Sequence, residues 1–263
     1  MLSAERQVKI LDELQRRGAV RVTSLAQMLN VSDMTIRRDL EALSRRGLID
    51  KVHGGATRPL ASTDEPGFEA KSLRQLAEKK AIARAAAELV TPGMAVGVSA
   101  GTTTWALAHR LRTIDRLTVV TNSIRIADVL HAGNNVNQSV VLTGGVRTPS
   151  DALVGPIAVS ALAQLHLDIV FLGVHGMTED AGFTTPNLLE ADTDRALATA
   201  GRQLVVVADH TKWGTIGIRT IAHLREVDIV ITDNGLSEEA RAILASHVEE
   251  VRLAPVDHSA MEN

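Results

Sequence analysis

The sequence predicts an α/β protein in two parts, a small helical head and a larger body built on a mostly parallel sheet. Its 263 residues are enough for two domains. Short amphipathic helical patterns fill residues 1–57, whereas apolar β-branched runs alternate with helical stretches beyond residue 73. Between them, "TRPLASTDEPGFEAKS" contains two prolines and little apolar periodicity. We therefore expect domains at 1–57 and 73–263, joined by a linker at 58–72.

The composition narrows the class of protein. Apolar residues make up 45% of the chain and aromatic residues only 2%, so the core is aliphatic and base-stacking surfaces for single strands are not expected. The absence of Cys excludes disulfides and thiolate metal sites. No apolar run reaches the roughly 18 residues of a membrane span, and the first residues do not form a signal peptide. We expect a cytoplasmic protein with no membrane partner.

The charges are distributed unevenly along the chain. Residues 1–60 carry 11 Lys and Arg against 7 Asp and Glu, whereas the remaining residues carry 17 basic and 24 acidic side chains. A basic head on an acidic body favours a polyanionic partner for the head alone. The alternative is that an excess of four charges lies within ordinary variation.

The head contains the pattern of three short helices. Ile10, Leu11 and Leu14 share one face of a helix that ends before Gly18. Thr23 is placed to cap a second helix, Asn30-Val31 forms a turn, and Ser32 is placed to cap a third. The apolar face of the third helix has the spacing i, i+4, i+7, with residues Ile36, Leu40 and Leu43. Two short helices joined by a tight turn predict a helix-turn-helix.

Two alternating segments complete the head. Ala19–Val22 and Leu48–Val52 read as short strands, with Gly54-Gly55 after the second, which predicts a winged helix-turn-helix. The early positions of the second helix of such a motif enter the major groove of double-stranded DNA. An ordinary three-helix module with solvated arginines is the alternative. The residues expected to contact DNA are Ser32, Met34, Thr35, Arg37, Arg38, Lys51 and His53.

Small polar residues recur after the strands of the body. In a parallel sheet, ligands bind beyond the carboxyl ends of the strands. Glycines let backbone N–H groups approach an anion, hydroxyls donate hydrogen bonds, and a helix N-terminus favours negative charge. A lysine binds phosphate as a point charge, and carboxylate or amide groups bind sugar hydroxyls. The residues expected to line this pocket are Ser99, Gly101, Thr102, Thr103, Asn122, Gly144, Gly145, Asp209 and Lys212.

The segment "GVSAG" (97–101) also matches the G-x-S-x-G turn that exposes the nucleophile of serine hydrolases. Such enzymes need oxyanion donors from a loop after an earlier strand, and "MAVGVS" is the first strand of the body. The three threonines that follow favour an anion site over a nucleophile. Glu190, Asp192 and Asp194 read as the first turn of a helix rather than a metal site. We expect no catalytic residue, metal or cofactor.

The blocks "SLAQMLNVSDMTIRRDLEALSRRGLIDKVHGGA", "AGTTT", "VTNS", "LTGG" and "ADHTKWG" resemble, in this order, the DeoR family of bacterial transcriptional regulators. The resemblance implies a winged helix-turn-helix that binds operator DNA, usually as a repressor of sugar-use genes. It implies an effector domain related in fold to ribose-5-phosphate isomerase that binds a phosphorylated sugar, in a dimer or tetramer. Carried over, Gly101, Thr102 and Thr103 form the phosphate loop, flanked by Asn122, Gly144, Gly145, Asp209 and Lys212.

Two positions bear on the activity that the resemblance implies. Many members of the family have Asp where this chain has Ser99. The serine lacks the negative charge of the aspartate and one acceptor for sugar hydroxyls. Glu190 in "TPNLLEAD" is placed to face the pocket, as the carboxylate base of an isomerase would. A sugar-phosphate isomerase or serine hydrolase with a DNA-binding head is therefore the alternative function.

Overall fold

The computed structural model describes residues 3–17, 19–45, 49–52, 54–57 and 67–256. The chain forms two compact units, Met1–Ala61 and Ser62–Asn263. The first unit has one aliphatic core and the second has two. Among the described residues, no helix is both long enough and apolar enough to cross a membrane.

The first unit contains three helices and a small antiparallel sheet. Its core is centred on Ile10, Leu25 and Ile36, one from each helix, all at most 1% exposed. The strands have the order β1-β3-β2, and all pairs are antiparallel. The elements are α1 (Ser3–Arg17), β1 (Ala19–Arg21), α2 (Val22–Leu29), α3 (Asp33–Arg45), β2 (Asp50–Val52) and β3 (Gly55–Thr57).

The turn between α2 and α3 follows the prediction. Asn30 adopts the left-handed conformation, with φ 51° and ψ 53°. The hydroxyl of Ser32 accepts a hydrogen bond from the N–H of Thr35 at 3.2 Å and so caps α3. The predicted cap at Thr23 is wrong, because α2 begins one residue earlier, at Val22. The N–H of Val22 donates to the carbonyl of Gly54 at 2.8 Å, which satisfies a donor at this helix start.

The wing is a hairpin of β2 and β3, and the third strand was not predicted. Gly55 pairs with β1 so closely that a Cβ there would lie 2.0 Å from the carbonyl oxygen of Val20. Any residue with a Cβ would clash with β1 here, so the first residue of β3 must be glycine. Gly18, Gly47, Leu48 and His53, to which the sequence assigned helix ends and a DNA contact, lie outside the described residues.

The second unit is a seven-stranded parallel sheet with helices on both faces. The strand order is β15-β14-β12-β9-β4-β5-β6, and each neighbouring pair is parallel. These strands are β4 (Ala95–Val98), β5 (Thr118–Thr121), β6 (Ser139–Leu142), β9 (Ile169–Gly173), β12 (Leu204–Val207), β14 (Ile229–Asp233) and β15 (Glu250–Ala254). The helices are α4 (Phe68–Ser72), α5 (Leu76–Ala87), α6 (Thr102–Leu111), α7 (Ile124–Ala132), α8 (Pro156–Leu162), α9 (Leu188–Ala200) and α10 (Glu238–Ala245).

The two cores of this unit lie on opposite faces of the sheet. Helices α5, α6 and α7 pack on one face, and α8, α9 and α10 pack on the other. Short antiparallel strands add to the second face and to the loops at the strand ends. They are β7 (Val146–Arg147) with β8 (Leu153–Val154), and β10 (Gly176–Thr178) with β11 (Gly182–Thr185) and β13 (Arg219–Ala222).

The strand order predicts a ligand crevice beside β4, by the general rule for parallel sheets. The chain runs outward from β4 through β5 to β6, and then returns to β9 on the other side of β4. Connections therefore leave β4 and β9 in opposite directions, which opens the sheet at their carboxyl ends. The predicted polar residues lie in the loops that follow β4, β5, β6 and β12.

Candidate functional site

Ser99 follows β4 and forms hydrogen bonds with the backbone of β9, on the other side of the crevice. Its hydroxyl accepts a hydrogen bond from the N–H of Gly173 at 2.9 Å, and its N–H donates to the carbonyl of Phe171 at 3.0 Å. The residue is 0% exposed. That Ser99 lines the ligand pocket remains a prediction, and its hydroxyl is held by the backbone of Gly173. A nucleophile of a serine hydrolase requires an exposed hydroxyl, and Ser99 does not provide one.

Helix α6 begins at the crevice without a side-chain cap. Its N-cap residue is Gly101, whereas Ser123, Asn187 and Ser237 cap α7, α9 and α10 with their side chains. Thr102, the first residue of the helix, is half-buried. Uncapped N–H groups at a helix start combine free donors with the positive end of the helix dipole.

Asn122 lies next to this helix start. Its side-chain oxygen accepts a hydrogen bond from the N–H of Ala100 at 2.7 Å, and the residue is 1% exposed. Its Nδ2 has no hydrogen-bond partner among the described atoms. A buried donor without a partner costs about 1–3 kcal/mol, and such donors in native proteins call for an explanation. A bound polar ligand is one such explanation.

The two glycines after β6 allow the backbone conformation of their loop. Gly144 and Gly145 have φ of 73° and 121°, a region that favours glycine. A Cβ on Gly145 would lie 2.5 Å from the carbonyl oxygen of Val154, so this residue lets the loop pair with β8. Both glycines are half-buried beside the neighbouring loop.

Glu190 is a buried carboxylate surrounded by hydroxyl groups. It lies in the first turn of α9 and is 7% exposed. The hydroxyl of Thr148 donates to its Oε1 at 2.8 Å, and Ser150 donates to the same oxygen. Thr185 donates to its Oε2 at 3.4 Å. The sequence pointed to Glu190 but not to these three hydroxyls, because they come from loops distant along the chain and form no motif.

The loop after β12 contains two predicted residues with different environments. Asp209 is 1% exposed, and its Oδ1 accepts hydrogen bonds from the N–H and hydroxyl of Thr211. It thereby caps the 3-10 turn of His210–Lys212, in which Lys212 is half-buried. Asp209 acts locally as a cap, so its sugar contact remains a prediction.

His210 and Asp233 form a pair that the sequence did not reveal. The Nδ1 of His210 lies 2.7 Å from Oδ1 of Asp233, and the N–H of His210 donates to Oδ2 at 2.8 Å. This hydrogen bond and the negative charge raise the pKa of His210, and the same contacts lower the pKa of Asp233. The pair joins the ends of β12 and β14.

Lys79 is a further cation at this edge that the sequence did not indicate. It lies in the first turns of α5, is 4% exposed, and donates to the carbonyls of Lys71 and Arg74 at 2.6 Å each. Burial lowers the pKa of Lys79 to about 8, while the charge of Asp209 acts in the opposite direction and that of Lys212 in the same direction. In the sequence alone, it is indistinguishable from an ordinary lysine of an amphipathic helix.

The structure thus joins the predicted residues in two groups. Ser99, Gly101 and Asn122 meet around the start of α6, and Asp209 and Lys212 are linked by charge to Lys79. Glu190 connects with Asn122 through the segment 148–153, because the N–H of Leu153 donates to the Asn122 carbonyl at 2.7 Å. Among the described residues, no group of three His, Asp or Glu is arranged to hold a metal.

The first unit presents one face of α3 to solvent. Ser32, Met34, Arg37 and Arg38 are exposed, and Thr35 is half-buried. On the opposite face, Ile36, Asp39, Leu40 and Leu43 are buried, with Asp39 bound by Arg6 of α1. In the wing, Lys51 pairs with Glu41 of α3 at 3.3 Å, and both side chains are about half exposed.

The chain matches two family models in succession. The model of the DeoR-like helix-turn-helix domain matches residues 6–60, and that of the DeoR C terminal sensor domain matches residues 74–234. The HTH-type transcriptional regulator GolR of Listeria innocua is 37% identical over 239 residues, which cover 90% of this chain and 93% of that protein. The glycerol-3-phosphate regulon repressor of Escherichia coli is 31% identical over 248 residues, covering 94% and 97%.

Among solved structures, a ribose 5-phosphate isomerase A of Methanocaldococcus jannaschii matches with a TM-score of 0.38 and 17% identity, over 51% of this chain and 53% of that chain. The family models cover more than half of the chain, and the relatives align over nearly their full length. The chain therefore belongs to the DeoR family of helix-turn-helix transcriptional regulators.

Proposed function

We propose that this protein is a repressor of sugar-use genes whose operator binding is modulated by a phosphorylated sugar in the strand-end crevice. It acts in the cytoplasm as a dimer or tetramer, and each chain contributes one DNA-binding domain. The proposed domains are 1–57 and 73–263, with a linker at 58–72. Helix α4 lies within that linker range and forms part of the second compact unit.

The unpartnered Nδ2 of Asn122 beside the uncapped start of α6 is the observation that carries this proposal. The N–H groups of Thr102 and Thr103 supply donors for a phosphate group at the positive end of a helix. Asn122 donates to a phosphate or hydroxyl oxygen of the same ligand. Glu190 accepts hydrogen bonds from sugar hydroxyls, and Lys212 adds a positive charge. Gly144, Gly145 and Asp209 shape the adjoining loops.

The name of one relative agrees with this ligand class. The relative that is 31% identical is a glycerol-3-phosphate regulon repressor, so its name contains a phosphorylated polyol. A phosphorylated polyol unites the two chemical features of the crevice, an anion site and groups that bind hydroxyls. The identity of the sugar depends on the groups around Glu190 and on Ser99, which stands where many relatives have Asp.

For DNA, we propose that the exposed face of α3 enters the major groove. Arg37 and Arg38 bind guanine edges or phosphates, and Met34 and Thr35 contact bases or the backbone. Ser32, Lys51 and His53 contact the flanking backbone. The salt bridge of Lys51 with Glu41 is exposed and weak, so phosphate competes with it readily.

Two observations oppose the enzymatic alternatives. Ser99 is buried with its hydroxyl bound, and Glu190 is bound by Thr148, Ser150 and Thr185. The hydroxyl of Ser99 is not exposed for nucleophilic attack, and the hydroxyl donors around Glu190 suit a carboxylate that binds sugar hydroxyls rather than one that removes a proton from carbon. We therefore propose a regulator without catalytic activity, and turnover of a sugar phosphate that is abolished by Glu190→Gln would contradict this.

The test is a substitution that keeps the fold of the crevice and removes its donor. Asn122→Asp retains an oxygen for the N–H of Ala100, loses the Nδ2 donor and adds a negative charge next to the anion site. We expect at least about a tenfold loss in affinity for glycerol 3-phosphate by calorimetry, or about 1.4 kcal/mol. The control is Asn137→Asp, the same change at an exposed loop residue. Equal binding by both variants would place the ligand elsewhere.

A further inference from the structure

Helix α4 is the first helix after the segment that leads from the DNA-binding unit. Thr57 ends β3, and Gly67 precedes α4 only ten residues later. A five-residue helix is not stable by itself, so contacts with the rest of the unit determine whether it forms. The contacts that fix α4 therefore determine at which residue the connection from the DNA-binding unit joins the second unit.

The first residues of α4 are held by an aromatic and ionic cluster. Phe68 is 5% exposed and packs edge-on against Trp105 of α6, with ring centroids 5.8 Å apart. The guanidinium of Arg125 lies 4.5 Å from the centroid of the Phe68 ring and pairs with Glu69 at 2.8 Å. A cation is attracted to the face of an aromatic ring, so Arg125 anchors this end of α4.

The other end of α4 is held by Lys79. Its ammonium donates to the carbonyl of Lys71, within the helix, and to that of Arg74, just beyond it. Carbonyls at the end of a helix lack internal partners, and a cation there also interacts favourably with the helix dipole. We call these contacts of Arg125 and Lys79 the α4 clamp.

Each member of the clamp also interacts with a group of the ligand crevice. Arg125 donates to Asp151 at 2.6 Å. On the same loop, Thr148 and Ser150 donate to Glu190, so the loop binds the crevice through its hydroxyls and the clamp through Asp151. On the other side, the charges of Asp209 and Lys212 both act on Lys79.

We propose that the α4 clamp is closed in the unliganded protein and that a phosphorylated polyol opens it, freeing α4 and changing the connection to the DNA-binding unit. This inference rests on the proposed function. The hydroxyls of the ligand are the same kind of donor as those of Thr148 and Ser150, and they compete for Glu190. Loss of these bonds frees the loop that holds Asp151, and Asp151 then no longer holds Arg125 against the start of α4.

The direction of the change follows from these competitions. The Arg125 end of α4 loses its anchor when the ligand binds, so occupancy favours the released state. Arg125 and Asp151 are positioning residues in this scheme, because they act on α4 and do not contact the ligand. Their substitution is therefore expected to open the clamp without weakening ligand binding.

Trypsin reports the state of α4 in the full-length protein. Cleavage after Lys71 requires the helix to unfold locally, so its rate follows the population of the open clamp. We expect saturating glycerol 3-phosphate to raise this rate about tenfold in the wild type, and inorganic phosphate alone to raise it less. Arg125→Met should raise the rate about tenfold without any ligand. The matched control is Arg110→Met, the same change at an exposed residue in the last turn of α6.

A second variant distinguishes opening of the α4 clamp from a general loss of folding. Asp151→Asn removes the charge that binds Arg125 but suits the left-handed backbone at this position, where φ is 63°. It should raise cleavage after Lys71 while the affinity for glycerol 3-phosphate, measured by calorimetry, stays within about threefold of wild type. Trp105 fluorescence in a Trp213→Phe background should change with the cleavage rate, because Trp105 contacts Phe68.

The outcomes separate this inference from the proposed function. If glycerol 3-phosphate binds but cleavage after Lys71 is unchanged, the clamp does not respond to the ligand and the inference is wrong. The inference is equally wrong if Arg125→Met and Arg110→Met are cleaved at the same slow rate. If no sugar phosphate binds while both clamp variants are cleaved rapidly, the proposed function fails and ligand control of the clamp fails with it.

Discussion

At the scale of single residues, burial decides what each polar group of the crevice does. Ser99 and Thr102 lie three residues apart and both carry a hydroxyl. The first is buried and bonded to Gly173, whereas the second is half-buried at the open start of α6. Two carboxylates are both buried and differ in their partners instead, since Asp209 caps a turn and Glu190 binds hydroxyls of another loop. The residue type alone does not assign these roles.

The pair of His210 and Asp233 should make stability depend on pH. The pKa of His210 is raised, so its contribution is complete below about pH 6.5, the unfolded value, and is lost as pH rises through the folded pKa. The pKa of Asp233 is lowered, so its contribution is present above about pH 3.9 and is lost as pH falls through its folded pKa. We expect the melting temperatures of wild type and Asp233→Asn to differ most between about pH 4 and 6.5.

NMR titration checks this pair directly. The ring signals of His210 should titrate at a higher pH in the wild type than in Asp233→Asn, because the hydrogen bond and charge of Asp233 raise the pKa of His210. Coincident His210 curves would show that Asp233 does not set its charge.

The sequence indicated the residues of the crevice that belong to local patterns. The glycine and threonine run at 101–104 and the residue after β5, Asn122, follow apolar strands, where such residues are informative. Thr148, Thr185, Lys79 and Asp233 were not found, because their roles depend on partners far along the chain. Their contacts exist only after the loops have folded together, and no spacing in the sequence encodes this.

At the scale of elements, the turn between α2 and α3 shows how one residue sets the geometry of a motif. Asn30 has φ 51° and ψ 53°, a conformation that glycine adopts freely, asparagine tolerates and alanine resists. We expect Asn30→Ala to lower the free energy of unfolding by about 1 kcal/mol and Asn30→Gly to leave it within about 0.5 kcal/mol. Urea titration followed by circular dichroism distinguishes them, and equal loss in both variants would assign a side-chain role to Asn30.

The longer elements were predictable and the shortest were not. Helices α6 and α9 have ten and thirteen residues, and a periodic pattern of that length outweighs local exceptions. Strands β7 and β8 have two residues each, and β3 has three, too few to show alternation. The strand order was not predictable either, because the apolar sequence of a strand does not indicate which strands lie beside it in the sheet.

The recognition surface of α3 is also an element-scale property. Arg37 and Arg38 are exposed on a helix whose other face is packed, so replacing either with Ala should leave folding intact. If Arg37 reads a base, Arg37→Ala should weaken binding to a selected operator by about 1–3 kcal/mol and barely change binding to unrelated DNA. Fluorescence anisotropy at several salt concentrations measures this. A uniform loss on all sequences, with a smaller salt slope, would instead assign Arg37 to a phosphate.

At the scale of the whole molecule, the two units carry opposite net charge. The first 60 residues have an excess of four positive charges, and the remainder has an excess of seven negative charges. DNA therefore attracts one part of the chain and repels the other, which favours binding through the helix-turn-helix alone. The chain itself links the two units, and α4 is the first described helix of the second unit along this link.

Communication between the two units must be reciprocal. If a phosphorylated polyol lowers operator affinity by some factor, operator DNA must lower the affinity for that polyol by the same factor. We expect about a tenfold effect in each direction, measured as glycerol 3-phosphate affinity with and without a DNA fragment selected from a random pool. Asp151→Asn, which opens the α4 clamp, should retain binding of each partner and reduce the mutual effect to about twofold or less. A variant that loses the clamp yet keeps the full tenfold coupling would show that the signal passes by another route, because the coupling free energy then does not depend on α4.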